Sequence, residues 1–370
     1  ILSYTRSTKI DINRATINSN KRLFQRLVMN QDDIEKVKRQ IDRGSEKGSK
    51  TYSFNDDHDE TKPAQMWFQE SPEGTVLFIV FYSLACRWSQ CLGCNLPSQV
   101  SSRHIPFDSI MQQVDYIFDL PEVLDKSNEI QKVIVSNNGS VLDEDTFSST
   151  ALIYLIALLN RNFKNLEVLT VETRPEYVDI EELEFIARAL AEGERKTQLE
   201  IAIGFEAFDD KIRNDVFMKG LTIEVFEKLV ERVAKYNFQL KCYFMQKPVP
   251  DMTDLQAIDD ICSGIDYLSK IAKKHGVEIN MHLNPTYVAT GTLLEPAFNE
   301  GRFTPPRLED VARAVYSGKD KNISIFVGLS DEGLAVDGGS FLVPDCEDIV
   351  DRLEQFNKNQ NFELLSEWGD

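Results

Sequence analysis

The stretch TVLFIVFYSLACRWSQCLGC, residues 75–94, joins the two features that decide the fold. Its first ten residues, 75–84, form an apolar run rich in β-branched and aromatic side chains, which is typical of a buried strand. Cys86, Cys91 and Cys94 follow at once, in a C-x4-C-x2-C arrangement. One strand therefore leads into a short loop that carries three thiols.

Five more apolar runs of strand length follow, at residues 132–137, 166–172, 199–206, 240–246 and 278–285. Stretches with the spacing of amphipathic helices lie between them, at residues 148–163, 180–193, 223–236 and 258–276. Apolar strands that alternate with helices indicate a parallel sheet covered by helices. Six such units without a reversal signal predict an α/β fold, a partial TIM-like (β/α)6 barrel, with a doubly wound sheet as the alternative. Residues 323–329 offer a further strand.

The rest of the chain predicts three parts. Residues 1–70 form an N-terminal helical, basic extension and linker, in which residues 17–43 are helical and residues 43–63 are a linker or mobile loop. The barrel takes residues 71–315. A C-terminal extension, residues 316–370, completes or caps it.

Composition excludes several classes of protein. With 370 residues, 42% of them hydrophobic, the chain can bury a large core. It has neither a long uncharged apolar run nor a signal-peptide core, which predicts a cytoplasmic protein without a membrane partner. The net charge of −19 argues against phosphate binding over the whole surface. Residues 1–50, however, carry 12 Lys and Arg against 6 Asp and Glu, which predicts either a solvated helical arm or a basic arm for RNA or an acidic partner.

The cysteine loop predicts a metal centre. In a barrel, chemistry belongs at the carboxyl ends of the strands, where this loop lies. Three thiolates can bind three irons of a 4Fe-4S cluster and leave the fourth iron open. Zinc is the alternative. A structural zinc site requires a fourth protein ligand, and the nearest histidine, His104, is ten residues away, whereas a catalytic zinc can take three cysteines and a water. Cys242, Cys262 and Cys346 stand alone in the sequence.

A three-cysteine loop after the first strand of a partial barrel resembles the radical S-adenosylmethionine (SAM) superfamily. Its usual spacing is C-x3-C-x2-C with an aromatic residue before the last cysteine, whereas this chain has four intervening residues and Gly93. The resemblance implies a 4Fe-4S cluster and SAM as cofactors, and an electron donor of the flavodoxin or ferredoxin type. It also implies cleavage of SAM to a 5′-deoxyadenosyl radical that abstracts a hydrogen from the substrate. No nucleophile or acid–base pair is predicted.

Motifs after the later strands extend this resemblance. SNNGS at residues 136–140 stands where the superfamily binds the amino group of SAM, although an ordinary turn has the same composition. VETRPEYV at 171–178 and GFEAFDDKIRNDVFMKG at 204–220 resemble the branch that contains the Elongator catalytic subunit, and so does LKCYFMQKPVPDMTD at 240–254. The alternatives are a surface ion pair, a helix terminus and core packing, respectively. The SAM contacts that the resemblance implies are Asn137, Asn138, Gly139, Ser140, Glu172, Arg174, Glu206, Met245, Gln246 and Asn284.

MHLNPTYVATGTLLEPAFNEGRFTPPRLEDV at residues 281–311 is similar to the radical SAM subunit of the archaeosine synthase family. This similarity implies action on a lysine-modified 7-deazaguanine in tRNA, together with a partner enzyme, and it adds Lys219, Thr286 and Glu295 as substrate contacts. Two alternatives stay open. One is a radical SAM enzyme that acts on a small metabolite or a peptide, and the other is a non-catalytic zinc or Fe-S partner module.

Overall fold

The fold is seen in a computed structural model that describes Val37, Arg39 and residues 49–369. Apart from Val37 and Arg39, the predicted helices of residues 17–43 and the basic arm lie outside this part of the chain. Within it, no helix is long and apolar enough to cross a membrane.

An eight-stranded sheet forms the centre of the molecule, with its strands in sequence order. The strands are β1 (Gln65–Ser71), β2 (Gly74–Val80), β3 (Ile130–Ser136), β4 (Val168–Thr173), β5 (Gln198–Glu206), β6 (Gln239–Gln246), β7 (Ile279–Pro285) and β8 (Ser324–Val327). Strands β2 to β8 are all parallel, and β1 pairs with β2 as an antiparallel hairpin. The predicted α/β partial barrel is therefore confirmed. Its six predicted strands are β2 to β7, and residues 323–329 supply β8.

Helices cover the outside of this curved sheet. They are α1 (Phe107–Asp119), α2 (Pro121–Asp125), α3 (Ser149–Asn162), α4 (Ile180–Leu190), α5 (Ile223–Lys235), α6 (Asp254–His275), α7 (Leu294–Asn299), α8 (Leu308–Tyr316) and α9 (Glu347–Asn359). Local sequence explains their bounds, and α6 is an example. Thr253 and Gln256 form a reciprocal capping box at its start, and Gly276 ends it in the left-handed conformation with φ 66°.

The sheet does not close by pairing β8 with β1. Instead, α9 packs against both strands. The side-chain amide of Asn357 accepts a hydrogen bond from the N–H of Val327 and donates one to its carbonyl, both at 2.8 Å. Gln360 makes the same pair of bonds with Ile325, at 2.8 and 2.7 Å. Two amide side chains thus satisfy the backbone groups at the edge of β8 that a further strand would otherwise bind.

The interior of the barrel has a polar floor. Lys132 of β3 lies 3.0 Å from both Glu73 and Glu200, and Glu200 accepts a 2.7 Å hydrogen bond from Thr170. Lys241 of β6 donates to Asn280 of β7. Inward-facing positions alternate along a strand, so the side chains two and four residues further on lie above this floor. The floor therefore closes the chamber near the amino ends of the strands, while the main hydrophobic core lies on the other face of the sheet, against the helices.

Residues 49–63 have little regular structure but are docked on the barrel. The backbone N–H of Thr51 donates to the carbonyl of Gly291 at 2.9 Å, and the Tyr82 hydroxyl donates to the carbonyl of Asn55 at 2.7 Å. Lys50 and Tyr52 are buried. Polar and backbone contacts hold these residues against the barrel, and the assignment of residues 43–63 as a linker or mobile loop stays a prediction. Strand β1 also falls within the predicted N-terminal extension, and the division into three domains stays a prediction.

Candidate functional site

The carboxyl ends of the parallel strands surround a cavity of about 900 Å³. Sites for small molecules and cofactors commonly have this size. The cysteine loop lines one part of the wall, and the ends of β3 to β8 line the remainder together with β1 and α9. A chamber built from so many elements can hold groups that come from distant parts of the sequence.

Cys86, Cys91 and Cys94 all line this cavity, and none of them is in a disulfide. Among the residues that the structure describes, no three His, Cys, Asp or Glu side chains are placed to hold one metal ion. A cubane cluster binds its thiolates through different irons. Its ligands therefore surround a space, as these three cysteines do, and the donor set fits such a cluster.

Burial disfavours the ionised form of Cys91 and of Cys94. Burial raises the pKa of Cys91, and it raises the pKa of Cys94 to about 12, because an ionised sulfur loses its water there. Lys219 opposes the shift in the pKa of Cys91, and Lys50 opposes that in the pKa of Cys94. Coordination to a metal deprotonates a thiol outright, so bound iron would reverse the effect of burial.

The SNNGS motif divides between the cavity wall and the region behind it. Asn138 and Gly139 line the cavity. A Cβ on Gly139 would lie 3.2 Å from the Cα of Cys86, so glycine permits the close approach of the cysteine loop. Asn137 is fully buried off the wall, where its amide donates to the hydroxyls of Ser83 and Thr146, and Ser140 is also buried away from the cavity.

Glu172 and Arg174, at the end of β4, both line the cavity. The Tyr243 hydroxyl donates to the Glu172 carboxylate, and burial raises the pKa of that carboxyl. The guanidinium of Arg174 donates to Glu176 Oε1 at 2.6 and 3.2 Å, and it lies 4.5 Å from the centre of the Trp88 ring. The ion pair that the sequence allowed here thus exists, but it is buried in the wall and is not on the surface.

Glu206 and Lys219 form an ion pair on the same wall, with 2.8 Å between carboxylate and ammonium. Gly204 makes room for it, because a Cβ there would lie 2.1 Å from Glu206 Oε1 and 2.2 Å from Lys219 Nζ. Burial lowers the pKa of Lys219, but the charge of Glu206 and its hydrogen bond, together with the charge of Cys91, raise it by more, so the pKa is raised overall. The two predicted side chains therefore contribute to the wall as an ion pair, not as separate charges.

Strands β6 and β7 contribute Met245 and Asn284 to the wall. Gln246 and Thr286 are completely buried and do not line it. Glu295 instead organises a loop, since its carboxylate accepts a 2.7 Å hydrogen bond from the N–H of Gly291. The structure thus brings most of the predicted residues together around the cavity, and it places Asn137, Ser140, Gln246 and Thr286 behind the wall.

Several wall residues were not predicted from the sequence, among them Lys50, Trp88, Tyr243, His282 and Glu332. His282 is 7% exposed, and among the described residues its Nδ1 has no hydrogen-bond partner. Burial, together with the charge of Lys241, lowers the pKa of His282 well below its usual range, so the ring is neutral. Alternation could have identified Tyr243 and His282, because each lies two residues from a predicted contact in its strand.

No protein-family model matches the chain. Relatives named archaeosine synthase subunit beta do resemble it. The protein of Methanosarcina acetivorans is 27% identical over 307 residues, which cover 81% of this chain and 84% of that protein. The protein of Thermococcus kodakarensis is 24% identical over 252 residues, 67% and 73% of the two chains. An uncharacterised protein of Methanocaldococcus jannaschii is 25% identical over 319 residues, 83% and 84% of the two chains. The resemblance to archaeosine synthase is thus confirmed.

Solved structures with a similar course of the chain include an N-terminally truncated Elp3 of Methanocaldococcus infernus, with a TM-score of 0.42 at 14% identity. It covers 60% of this chain and 51% of that one. SuiB of Streptococcus suis bound to S-adenosylmethionine has a TM-score of 0.42 at 12% identity, with 69% and 52% covered. This chain spans about half the length of each.

Proposed function

We propose that this chain is a radical SAM enzyme in which Cys86, Cys91 and Cys94 hold a 4Fe-4S cluster and the adjoining cavity holds SAM. One observation carries the proposal: three thiols from a single loop line the same cavity as Glu172, Arg174 and the other wall residues for which the resemblance implies SAM contacts. The relatives named archaeosine synthase subunit beta support it.

When bound, the cluster supplies one electron that cleaves SAM into methionine and a 5′-deoxyadenosyl radical, which abstracts a hydrogen from the substrate. The chain's own residues bind and orient the reactants. Asn138 and Gly139 lie beside the cysteine loop, where the amino end of SAM would be held. Glu172, with its carboxylate fixed by Tyr243, is suited to accept hydrogen bonds from ribose hydroxyls.

Side chains also shield part of the chamber. The Trp67 ring of β1 stacks on Phe78 with 4.2 Å between ring centres, and α9 covers the gap between β1 and β8. A radical on carbon reacts with whatever hydrogen donor is near, so this shielding favours reaction with the bound substrate. The electron donor is a flavodoxin or ferredoxin type of protein.

For the substrate, we infer a lysine-modified 7-deazaguanine in tRNA, with a partner enzyme that installs the lysine. The segment 284–295 supports this inference through its similarity to archaeosine synthase, and the names of the relatives support it independently. The acidic body favours the second candidate, a small metabolite or peptide, because residues 51–370 carry a net charge of about −25.

Reconstitution tests the central proposal. The protein is supplied anaerobically with iron and sulfide, then with SAM and dithionite, and 5′-deoxyadenosine is measured. We expect product from the wild type and none from Cys86→Ala, Cys91→Ala or Cys94→Ala, whereas Cys262→Ala, on the outer helix α6, keeps activity. A protein that takes up zinc and never cleaves SAM would instead be the non-catalytic module.

Salt dependence separates the two substrates. Binding of tRNA through several phosphates weakens steeply as ionic strength rises, because counterions are released on binding. If the tRNA affinity decreases steeply with ionic strength, and this dependence disappears on deletion of residues 1–45, the result supports tRNA as the substrate and residues 1–45 as the basic arm that binds it. No measurable tRNA binding at low salt supports the small metabolite or peptide.

A further inference from the structure

Lys50 occupies an unusual position for a lysine. It precedes the barrel by 15 residues, yet only 4% of its surface is exposed and it lines the cavity beside the three cysteines. Its ammonium donates a 2.8 Å hydrogen bond to the backbone carbonyl of Cys94. A group from outside the barrel therefore forms part of the wall around the cysteine loop.

The charge of Lys50 has no ionic partner within the part of the chain that the structure describes. Every other buried lysine here is paired or lies among carboxylates, as Lys132 is with Glu73 and Glu200. A buried ammonium that meets only a neutral carbonyl and an aromatic ring, here Tyr52 with 6.0 Å to the ring centre, is costly unless an anion compensates it. The anion expected at this place is the cluster itself, because three thiolates and an added electron make it negative.

The backbone holds Lys50 in place. The N–H of Thr51 donates to the carbonyl of Gly291, and a Cβ on Gly291 would lie 2.5 Å from the backbone nitrogen of Tyr52. Glu295 in turn fixes Gly291 through its backbone N–H. Segment 50–52 is thus clamped between the cysteine loop and the loop after β7, and its lysine is directed inward.

We propose that Lys50 is a positioning residue of the cluster site, whose ammonium stabilises the reduced cluster and thereby raises its reduction potential. The inference rests on the proposed function. The step that it affects is the transfer of one electron from a low-potential flavodoxin or ferredoxin type of donor to the cluster. No bond in the protein forms or breaks, and the added negative charge lies near the fixed positive charge of Lys50.

The test compares variants that separate charge from hydrogen bonding. Lys50→Gln keeps a donor for the carbonyl of Cys94 but removes the charge, whereas Lys50→Arg keeps both. Lys62→Gln is the control, since Lys62 is an exposed lysine on the same segment, paired with Asp59. Each protein is reconstituted, its iron and sulfide are counted, and the potential is measured by redox titration followed by electron paramagnetic resonance.

We expect Lys50→Gln to hold a normal amount of cluster with a lower potential. The ratio of reduced to oxidised cluster at a fixed potential should fall about tenfold, which corresponds to about 59 mV for a one-electron couple. Lys50→Arg and Lys62→Gln should titrate like the wild type. Lys50→Gln could assemble too little cluster. The proposal is still supported if its residual cluster has a lowered reduction potential and the cluster of Lys50→Arg has the reduction potential of the wild type.

If the cluster of Lys50→Gln has the reduction potential of the wild type, the proposal is overturned, whatever the cluster content of the variant. Lys50 would then only stabilise the cysteine loop through its hydrogen bond. This outcome differs from failure of the proposed function. A wild-type protein that assembles no 4Fe-4S cluster overturns the proposed function, and this inference with it.

Discussion

The side-chain amide of Asn357 forms hydrogen bonds with both backbone polar groups of Val327, at 2.8 Å each. Leucine at position 357 has a similar size but can make neither bond, so a buried N–H and a buried carbonyl would be left unsatisfied. Each such group costs about 1–3 kcal/mol. With two such groups, we expect Asn357→Leu to lower the free energy of unfolding by about 2–6 kcal/mol, as measured by urea denaturation.

The exposed face of the same helix offers a control. Gln355→Ala removes an amide that faces solvent, and it should change stability by less than about 0.5 kcal/mol. Equal effects of the two substitutions would show that the amide of Asn357 does not support the edge of β8.

Gly204 leaves the space that the Glu206–Lys219 ion pair occupies. Because a Cβ would lie within 2.2 Å of both charged groups, Gly204→Ala must displace them. We expect a loss of about 1–3 kcal/mol in stability from overpacking, and weaker SAM binding in calorimetry of the reconstituted protein. The double variant Gly204→Ala with Lys219→Ala should recover part of the lost stability. Additive losses would mean that the ion pair is not what the alanine disturbs.

The contacts of Arg174 with Glu176 and Trp88 depend on the shape of its side chain as well as on its charge. Lysine keeps the charge but cannot donate twice to Glu176 and stack on Trp88 at the same time. We expect Arg174→Lys to weaken SAM binding at least about tenfold, a change of 1.4 kcal/mol or more in binding free energy. Arg195→Lys, which alters an exposed ion pair with Glu167, should leave binding unchanged. Normal binding by Arg174→Lys would show that charge alone is needed.

Burial lowers the pKa of Lys241, in the barrel floor, to about 8 from an ordinary value of 10.5. Between these two values the unfolded chain binds more protons at this group than the folded chain does, so stability rises with pH in that window. Below pH 8 both states are protonated, and the cost of the buried charge is fully present. The free energy of unfolding of the wild type, relative to that of Lys241→Met, should therefore rise from pH 8 to 10. The rise should be up to about 1.4 kcal/mol per pH unit.

Denaturation curves of both proteins at several pH values measure this difference. Lys196→Met, at an exposed position, provides the matched loss of charge. A difference between wild type and Lys241→Met that stays flat with pH would show that Lys241 titrates normally in the folded protein.

The sequence predicts β2 to β7 because each strand is rich in apolar residues that become buried, although β7, INMHLNP, alternates apolar and polar side chains. Strand β1 was missed. Its residues, QMWFQES, mix polar and apolar types, and only the hairpin with β2 makes them a strand. Strand pairing of this kind depends on tertiary contacts that local pattern does not contain.

The site shows a similar limit. Motifs located Met245 and Gln246 together, but neighbours in a strand point to opposite faces, so only Met245 reaches the cavity. Asn137 and Asn138 lie beyond the end of β3, where Asn138 adopts a left-handed conformation with φ 55°, and only Asn138 lines the cavity. Lys50 could not be predicted, since its approach to Cys94 depends on a docked segment with no apolar pattern.

The amides of Asn357 and Gln360 have a consequence for the behaviour of the protein in a crowded solution. An uncovered edge strand presents free N–H and carbonyl groups, which can recruit a strand from another molecule and begin aggregation. At β8 those groups are already occupied by Asn357 of α9 and by Gln360, the residue that caps the end of α9. An open barrel usually leaves such an edge exposed, and here the final helix makes it inert toward edge-to-edge association.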